Sequence, residues 1–493
     1  MDFSEKQMSE RLEDIIENRR KKLEALRKLG IDPYPSSTAR DHCAREALDK
    51  FRALSKKQAT ITLAGRIRSM RAQGKIAFAH IEDGSGRIQL FFKSNDLGKK
   101  FALLDFFDVG DFIEAAGTLF TTKTGEKTLN VKNFRMLAKS LRPLPSEFYG
   151  LENQELRLRK RYLDLLMRED VRELFAKKAK FWLAMQSFLL AKGFMPVELP
   201  VLETVPGGAE AEPFTTHHNA LDRDFFLRIS LELPLKKLIV SGYEKVFEIG
   251  RIFRNEGIST EHLQDYTQME FYWAYADFEA LKDFVREMYQ HVIKQTFGSL
   301  KTVFQGKEID WSGKWPEQDY FKLFKKYTGL DLNAASDADL KKYAESGKIK
   351  YEKFAGRGRL IDLIFKKVVR VLPKVSLQPS FLVNPPVEIE PLAKRNPKNP
   401  RTVQRLQVLA CGSELGKGFG ELNDPLDQRA RFEEQMRLRE KGDKEAQMID
   451  EDYLEAMEYG MPPLAGFGVS ERLFAILTDK SIRETVLFPP MAS

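Results

Sequence analysis

Cysteine is almost absent from this chain of 493 residues: Cys43 and Cys411 are the only two. Two cysteines cannot build a disulfide framework, and their scarcity fits a reducing compartment. No Cys/His group has the spacing of a zinc site. The longest apolar run, FWLAMQSFLLA at 181–191, is too short to cross a bilayer and is broken by Gln186 and Ser187. The opening MDFSEKQMSERLEDII lacks the apolar centre of a secretion signal. There is no GxxxxGK[ST] loop and no GxGxxG after a strand, so a nucleotide site here cannot rest on a glycine-rich cradle. No Ser/His/Asp arrangement, internal repeat or low-complexity tract is legible. These absences leave the expectation of a soluble cytoplasmic protein whose chemistry rests on charged side chains.

The composition, 42% hydrophobic with 36 Phe, is that of a globular chain with room for two or three domains. A net charge of +8 points toward a polyanionic partner, of which nucleic acid is the commonest. Within residues 9–29, Leu12, Ile15, Ile16, Leu23 and Leu26 form a helical stripe that Gly30 and IDPYP terminate. Arg19, Arg20, Lys21 and Lys22 lie on the opposite face, as a solvated surface or as a basic arm for nucleic acid.

From 59 to 141 the texture changes to five short alternating segments separated by QG, DGSG, VGD and TGE, as in a small Greek-key barrel of the OB type. Such barrels stack bases on aromatics and hold the backbone with cations. Arg71, Phe78 and Gln89 fall on the first three strands and could share one face, although Phe78 also reads as ordinary core. A helical link (151–166) and a helix at 175–193 follow. Then come many strands, from DFFLRISLE to LAGFGVSERLF, that suggest a large antiparallel sheet with helices on one side and a polar surface on the other. A lysine-rich helical insertion at about 300–375 shows no evident chemistry. The domain organisation expected is 1–58 as an N-terminal helical extension, 59–145 as the barrel, 146–170 as a linker and 171–493 as the larger domain.

The stretch VFEIGRIFRNEGIS (246–259) alternates Phe247, Ile249 and Phe253 on one strand face, with Glu248 and Arg254 on the other and Glu256 before Gly257. It reads as a local ion pair or as a site for a ligand with an anionic group and a hydrogen-bonding edge. Similar polar groups interrupt other apolar strands: Glu232, His262, Tyr266, Glu270, Tyr272, Glu414, Glu421 and Arg472. So many are hard to explain by core packing alone.

PGGAEAEPFTTHHNALD, FEIGRIFRNEGIS, MEFYWAYADF, GFGELND and EYGMPPLAGFG resemble stretches of class II lysyl-tRNA synthetases. GFMPVELPVLE is similar to the first motif of that class, with Pro200 at its dimer-forming turn; FRNE is similar to the second motif and SERLFAIL to the third. ITLAGRIRSMRAQGKIAFAHIEDGSGRIQLFF resembles the family's anticodon-binding barrel. The resemblance covers about residues 10–491. It implies an α+β, multidomain fold: an N-terminal OB-fold β-barrel plus a class II synthetase antiparallel sheet flanked by helices.

The activity it implies is activation of L-lysine with ATP and transfer of the lysyl group to tRNA(Lys), by a homodimer using Mg2+. The implied roles are specific. Arg254 and Arg472 are catalytic and bind ATP with Glu256, His262, Tyr266 and Glu414. Gly208, Glu232, Glu270, Tyr272, Lys417, Phe419 and Glu421 form the lysine pocket, with Glu421 and the Tyr272 hydroxyl as the sink for the ε-ammonium. Arg71, Phe78 and Gln89 meet the anticodon, and Glu414 with Gln407 stands at the metal position. Four departures stand out: Gln407 replaces a usual Glu, Lys417 a usual Asn, Glu471 a usual Asp in a shortened third motif, and Glu261 a common basic residue. Lys417 is expected to reach toward the phosphates. The alternative reading is a tRNA-binding or regulatory paralogue with weak or altered catalysis.

Overall fold

The computed structural model describes residues 3–145, 153–257, 263–352, 355–443 and 445–491, in two compact units, Met1–Asn153 and Gln154–Ser493. In the first unit, α1 (Phe3–Lys28) precedes β1 (Thr60–Gln73), β2 (Ile76–Glu82), β3 (Arg87–Lys93), β4 (Phe112–Thr121) and β5 (Lys127–Ala138). These five strands close into a barrel in the order β1-β2-β3-β5-β4. Side-chain alternation makes closure favourable: in β2, Ala77, Ala79 and Ile81 are buried while Ile76, Phe78, His80 and Glu82 are half-buried on the outer face. The inner residues share one core with Ile61, Leu90, Phe92 and Leu129.

The basic face of α1 is not uniform. Arg19 is buried and donates from Nη1 to the carbonyls of Ser140 (3.0 Å) and Arg142 (3.1 Å) and from Nη2 to that of Val109 (2.9 Å). Lys22 pairs with Asp108 at 2.8 Å. Both therefore fasten the helix to its own unit, which leaves Arg20 and Lys21 exposed.

The second unit is built on α2 (Glu169–Ala191), β6 (Met195–Pro196), α3 (Glu232–Val240), β7 (Lys245–Phe253), β8 (Asp265–Ala274), α4 (Phe278–Phe297), β9 (Glu317–Asp319), α5 (Arg357–Ile364), β10 (Ser380–Val383), β11 (Arg405–Ala410), β12 (Ser413–Gly420), β13 (Leu464–Ser470) and α6 (Arg472–Leu477). Its main sheet has eight strands in the order β9-β10-β11-β12-β13-β8-β7-β6. All pairings from β10 to β7 are antiparallel. The two edge pairings, β9 with β10 and β6 with β7, are parallel. Phe181 and Phe188 of α2, Val285 and Met288 of α4, and Phe247, Phe271 and Phe467 of the sheet pack into one core. The opposite sheet face is polar.

Two expectations need correction. Glu232 is not on a strand: the strand of DFFLRISLE ends at Leu227, and Glu232 opens α3. Pro234 does not prevent this, because in the first turn its missing N–H would have no helical partner. The lysine-rich stretch expected to be a chemistry-free helical insertion begins with strands (Lys301–Phe304, Lys307–Asp310 and β9) and then contributes α5 to the polar face.

Candidate active site and barrel face

The polar face of the main sheet carries a cavity of about 1380 Å³. Strand register explains which side chains reach it. Glu270 (β8), Gly468 (β13), Lys417 (β12) and Gln407 (β11) lie in one row across four strands, and Tyr272, Gly466, Phe419 and Arg405 in the next. Side chains at spacing two share a face, so Lys417, Phe419 and Glu421 point the same way. Glu414 is three residues from Lys417 and should point away. Between the pairs Gln407–Lys417 and Leu409–Glu414, however, β12 carries one extra residue, a bulge that returns Glu414 to the cavity.

The row of glycines gives the cavity its floor. A Cβ on Gly466 would lie 2.3 Å from Tyr272 Cε1 and 2.4 Å from Glu421 Oε1, so any larger residue would fill the space between them. Gly208, at φ +81°, packs against Ser230 and Glu232 in the same manner, where a Cβ would lie 2.9 Å from Glu232 Cβ.

The structure brings together Gly208, Glu232, Arg254, Glu256, Tyr266, Glu270, Tyr272, Gln407, Glu414, Lys417, Phe419, Glu421 and Arg472, all of which line the cavity. His262, like Glu261, lies outside the described residues. Glu248 separates from its neighbours: it pairs with Arg228 at 2.7 Å and accepts from the Leu199 amide at 3.0 Å, so within the 246–259 stretch it is the structural ion pair. Arg254 leaves the end of β7, donates from Nε to the Ile229 carbonyl (3.2 Å) and places its guanidinium 5.7 Å from the centre of the Tyr266 ring. Burial pushes the Glu256 carboxyl above its usual range against the pull of Arg254.

Glu270 is a hub. It accepts from Ser230 Oγ (2.9 Å), the Leu231 amide (3.1 Å), Gln268 Nε2 (2.6 Å) and the Tyr272 hydroxyl (3.2 Å). Glu471, the departure in the third motif, is fully buried and ion-paired with Lys178, and its amide donates to the Thr267 carbonyl. It anchors the start of α6 and so sets the position of Arg472.

Sequence reading missed Lys236. On α3, four residues after Glu232, its side chain is 0% exposed and its Nζ lies 2.5 Å from both Glu232 Oε1 and Glu421 Oε2. Burial alone would favour the neutral amine; attraction to Glu232 and Glu421 overrides it and keeps the ammonium charged. Burial pushes both acids upward, while Lys236 pulls them back. Glu421 Oε1 has no hydrogen-bond partner among the described residues. The signal that could have located Lys236 is its i+4 spacing from Glu232, but a helical lysine normally faces water.

Lys417 pairs with Glu390. Its Nζ is 3.3 Å from Glu390 Oε2 and 5.3 Å from the centre of the Phe419 ring, and Arg405 Nη1 shares the same Glu390 oxygen at 3.2 Å. Among the described residues no group of three or more His, Cys, Asp or Glu side chains is placed to hold a metal ion. Gln407 is neutral, and Glu414 is a single carboxylate. Burial would raise Glu414, yet Lys417, Arg405, Lys366 and Arg370 together hold it below the usual carboxylate range. Among the described residues of the cavity, a carboxylate set for a protein-held magnesium ion, which needs hard anionic oxygens, is not present.

On the barrel, Arg71, Phe78 and Gln89 do share one face. Register sets Arg71 opposite Phe78 and His80 opposite Gln89. The Arg71 guanidinium lies 5.2 Å from the Phe78 ring centre, and Phe78 packs on Phe91 at 4.9 Å. Glu126, also missed, comes from the β4–β5 turn to accept from Gln89 Nε2 at 2.6 Å and to meet His80 Nε2 at 2.7 Å.

Residues 153–492 match the family described as tRNA synthetases class II (D, K and N), and residues 61–137 match the OB-fold nucleic acid binding domain. The chain is 43% identical to the lysine–tRNA ligase of Pelotomaculum thermopropionicum over 98% of its own length and 96% of that protein's. It is 43% identical to that of Carboxydothermus hydrogenoformans, over 97% and 98%, and 41% identical to that of Staphylococcus epidermidis, over 98% and 99%.

Proposed function

The chain belongs to the class II tRNA synthetases of the D, K and N group, and from that premise we propose roles for the residues of its cavity and barrel. The chain joins lysine to tRNA at the expense of ATP. The lysine carboxylate attacks the α-phosphorus of ATP, and pyrophosphate leaves with the electron pair of the broken P–O bond; a terminal ribose hydroxyl of tRNA then gives up its proton, takes the lysyl group and releases AMP.

Arg254 neutralises the α-phosphate as negative charge moves onto it, and Arg472 holds the far end of the nucleotide. Glu256 accepts from the adenine amino group, and Tyr266 lies against the ring. Phe419 packs the lysine methylenes, Gly208 leaves room for the α-amino group, and Glu270 orders the Ser230–Glu232 turn that faces it. Glu421 takes the ε-ammonium. The observation that carries this assignment is its buried carboxylate, 1% exposed, whose Oε1, beside Tyr272 and Gly466, lacks a hydrogen-bond partner among the described residues. An unpaired buried carboxylate oxygen is costly unless a cation meets it.

Arg71, Phe78 and Gln89 receive the tRNA anticodon. Magnesium enters as part of the nucleotide substrate. We assign a homodimer, supported by exposed Leu183, Leu190, Met195, Val201 and Leu202 around the segment that holds Pro200. We assign a cytoplasmic location, where tRNA and ATP are met; no described helix is long and apolar enough to cross a membrane. The test is ATP–pyrophosphate exchange against a panel of amino acids. Exchange with lysine alone is expected; exchange with none would favour a tRNA-binding paralogue.

A further inference from the structure

The segment after α5 is a single π-helical turn, Phe365–Val369, closed by the Arg370 amide on the Phe365 carbonyl at 2.9 Å. Such turns recur at functional sites because they realign side chains within a helix. Here Asp362, Lys366 and Arg370 all line the cavity, although the segment reads in sequence as part of a lysine-rich helical insertion without evident chemistry. Lys366 pairs with Asp362 at 2.6 Å. Arg370 Nε is buried with no hydrogen-bond partner among the described residues, and so is Arg405 Nε on β11.

Around Glu414 the cavity gathers four cations, Lys366, Arg370, Arg405 and Lys417, beside the carboxylates of Glu414, Glu390, Asp362 and Glu210. A divalent-ion site needs a surplus of carboxylate oxygens, which this set does not supply. Unspent guanidinium donors among them match phosphate oxygens, which arginine binds through its fork of N–H groups.

We propose that Lys366, Arg370 and Arg405, supported by Lys417, bind the pyrophosphate part of the nucleotide directly, in place of a divalent ion held by protein carboxylates. This rests on the adenylating role assigned to the cavity. The side chains lower the charge of the departing pyrophosphate without a resident ion.

The test is calorimetric titration of the full chain with inorganic pyrophosphate in EDTA, beside the Lys366→Gln/Arg370→Gln double variant. Lys366 is exposed and Arg370 half-buried at the end of a helix, and thermal melting checks that the variant folds. Metal-free pyrophosphate is expected to bind, more weakly as salt rises, and at least tenfold more weakly to the double variant. Lysine binding without nucleotide should be unchanged. Should the variant not fold, Gln407→Glu supplies the second arm: an added carboxylate should weaken metal-free binding and make it respond to magnesium. Pyrophosphate binding that strictly requires magnesium in the parent chain, or is equal in parent and variant, overturns the proposal while lysine-dependent exchange still upholds the functional reading. Metal-free binding that depends on Arg370, without exchange for any amino acid, upholds the cationic site and overturns the reading.

Discussion

The barrel face and the cavity are both candidate recognition sites, yet they hold polar side chains by opposite means. On the barrel, Arg71, Phe78 and Gln89 come from three adjacent strands, and plain alternation turns them to one side. Their partners belong to the same barrel; Phe78 and Arg71 remain open to water to different degrees, and Gln89 is buried against Glu126 and Thr128. In the cavity, Glu232, Lys236 and Glu421 come from a helix and from the far end of a strand, and a single ammonium faces two acids almost without solvent. Where water screens a site, single contacts are weak and nearly additive. Where it does not, each charge depends on its partner, and removing one leaves another stranded.

The largest expected effect is in the cavity. Glu421→Gln keeps the shape but leaves Lys236 with Glu232 alone and removes the carboxylate assigned to the substrate ammonium. Breaking a desolvated pair from one side costs about 3–5 kcal/mol, or roughly two to four decades in kcat/KM for lysine. Steady-state exchange kinetics measure this, and the KM for ATP should move little. Retained lysine activity would place the ε-ammonium elsewhere.

Lys236→Met tests the same dry network from the other side. Glu232 and Glu421 would then face each other without a counter-ion, so one of them should take up a proton. Stability should fall by about 3 kcal/mol in urea unfolding, and the KM for lysine should rise while that for ATP holds. Lys236→Arg should recover part of both losses. An unchanged lysine KM would show that Lys236 is structural and does not tune the pocket.

Phe78→Ala samples the wet site. Base stacking is worth roughly 1–3 kcal/mol, so tRNA aminoacylation should weaken about tenfold to a hundredfold while lysine-dependent exchange stays near its parent value. Equal loss in both assays would make Phe78 a core residue and erase the contrast between the regions.

The smallest effect is a pH slope. In the free cavity burial raises the Glu421 carboxyl, and an arriving ε-ammonium favours its ionised form. Lysine binding should therefore release protons. Affinity should climb as pH rises from the ordinary carboxylate range through neutrality, by at most about tenfold per unit, and level off above the raised value. Titration calorimetry in buffers of different ionisation enthalpy measures the proton release. A flat profile would mean that Lys236 already keeps Glu421 ionised. Barrel binding, in screened surroundings, should show no such slope from Phe78 or Arg71.

Much was legible without coordinates. Period-two alternation located the five barrel strands and the outward placement available to Phe78. Glu232 and Lys236 were harder, because LELPLKKLIV follows a strand-like run and carries a proline, and only the turn at Ser230 commits it to a helix. Lys366 and Arg370 were illegible as site residues: a lysine-rich helix looks solvated, and the π turn that redirects it leaves no residue pattern of its own.

The sequence by itself determined the fold class and the family, because hydrophobic periodicity and long motifs are local properties of the chain. Tertiary structure alone decided which charges meet. The β12 bulge turns Glu414 into the cavity with Lys417, the packing of α3 buries Lys236 between two acids, and Glu390 holds Lys417 near Phe419. Those outcomes depend on distances of a few ångströms between segments far apart in the chain, and Coulomb energies at such distances are set by burial and geometry, which residue order does not contain.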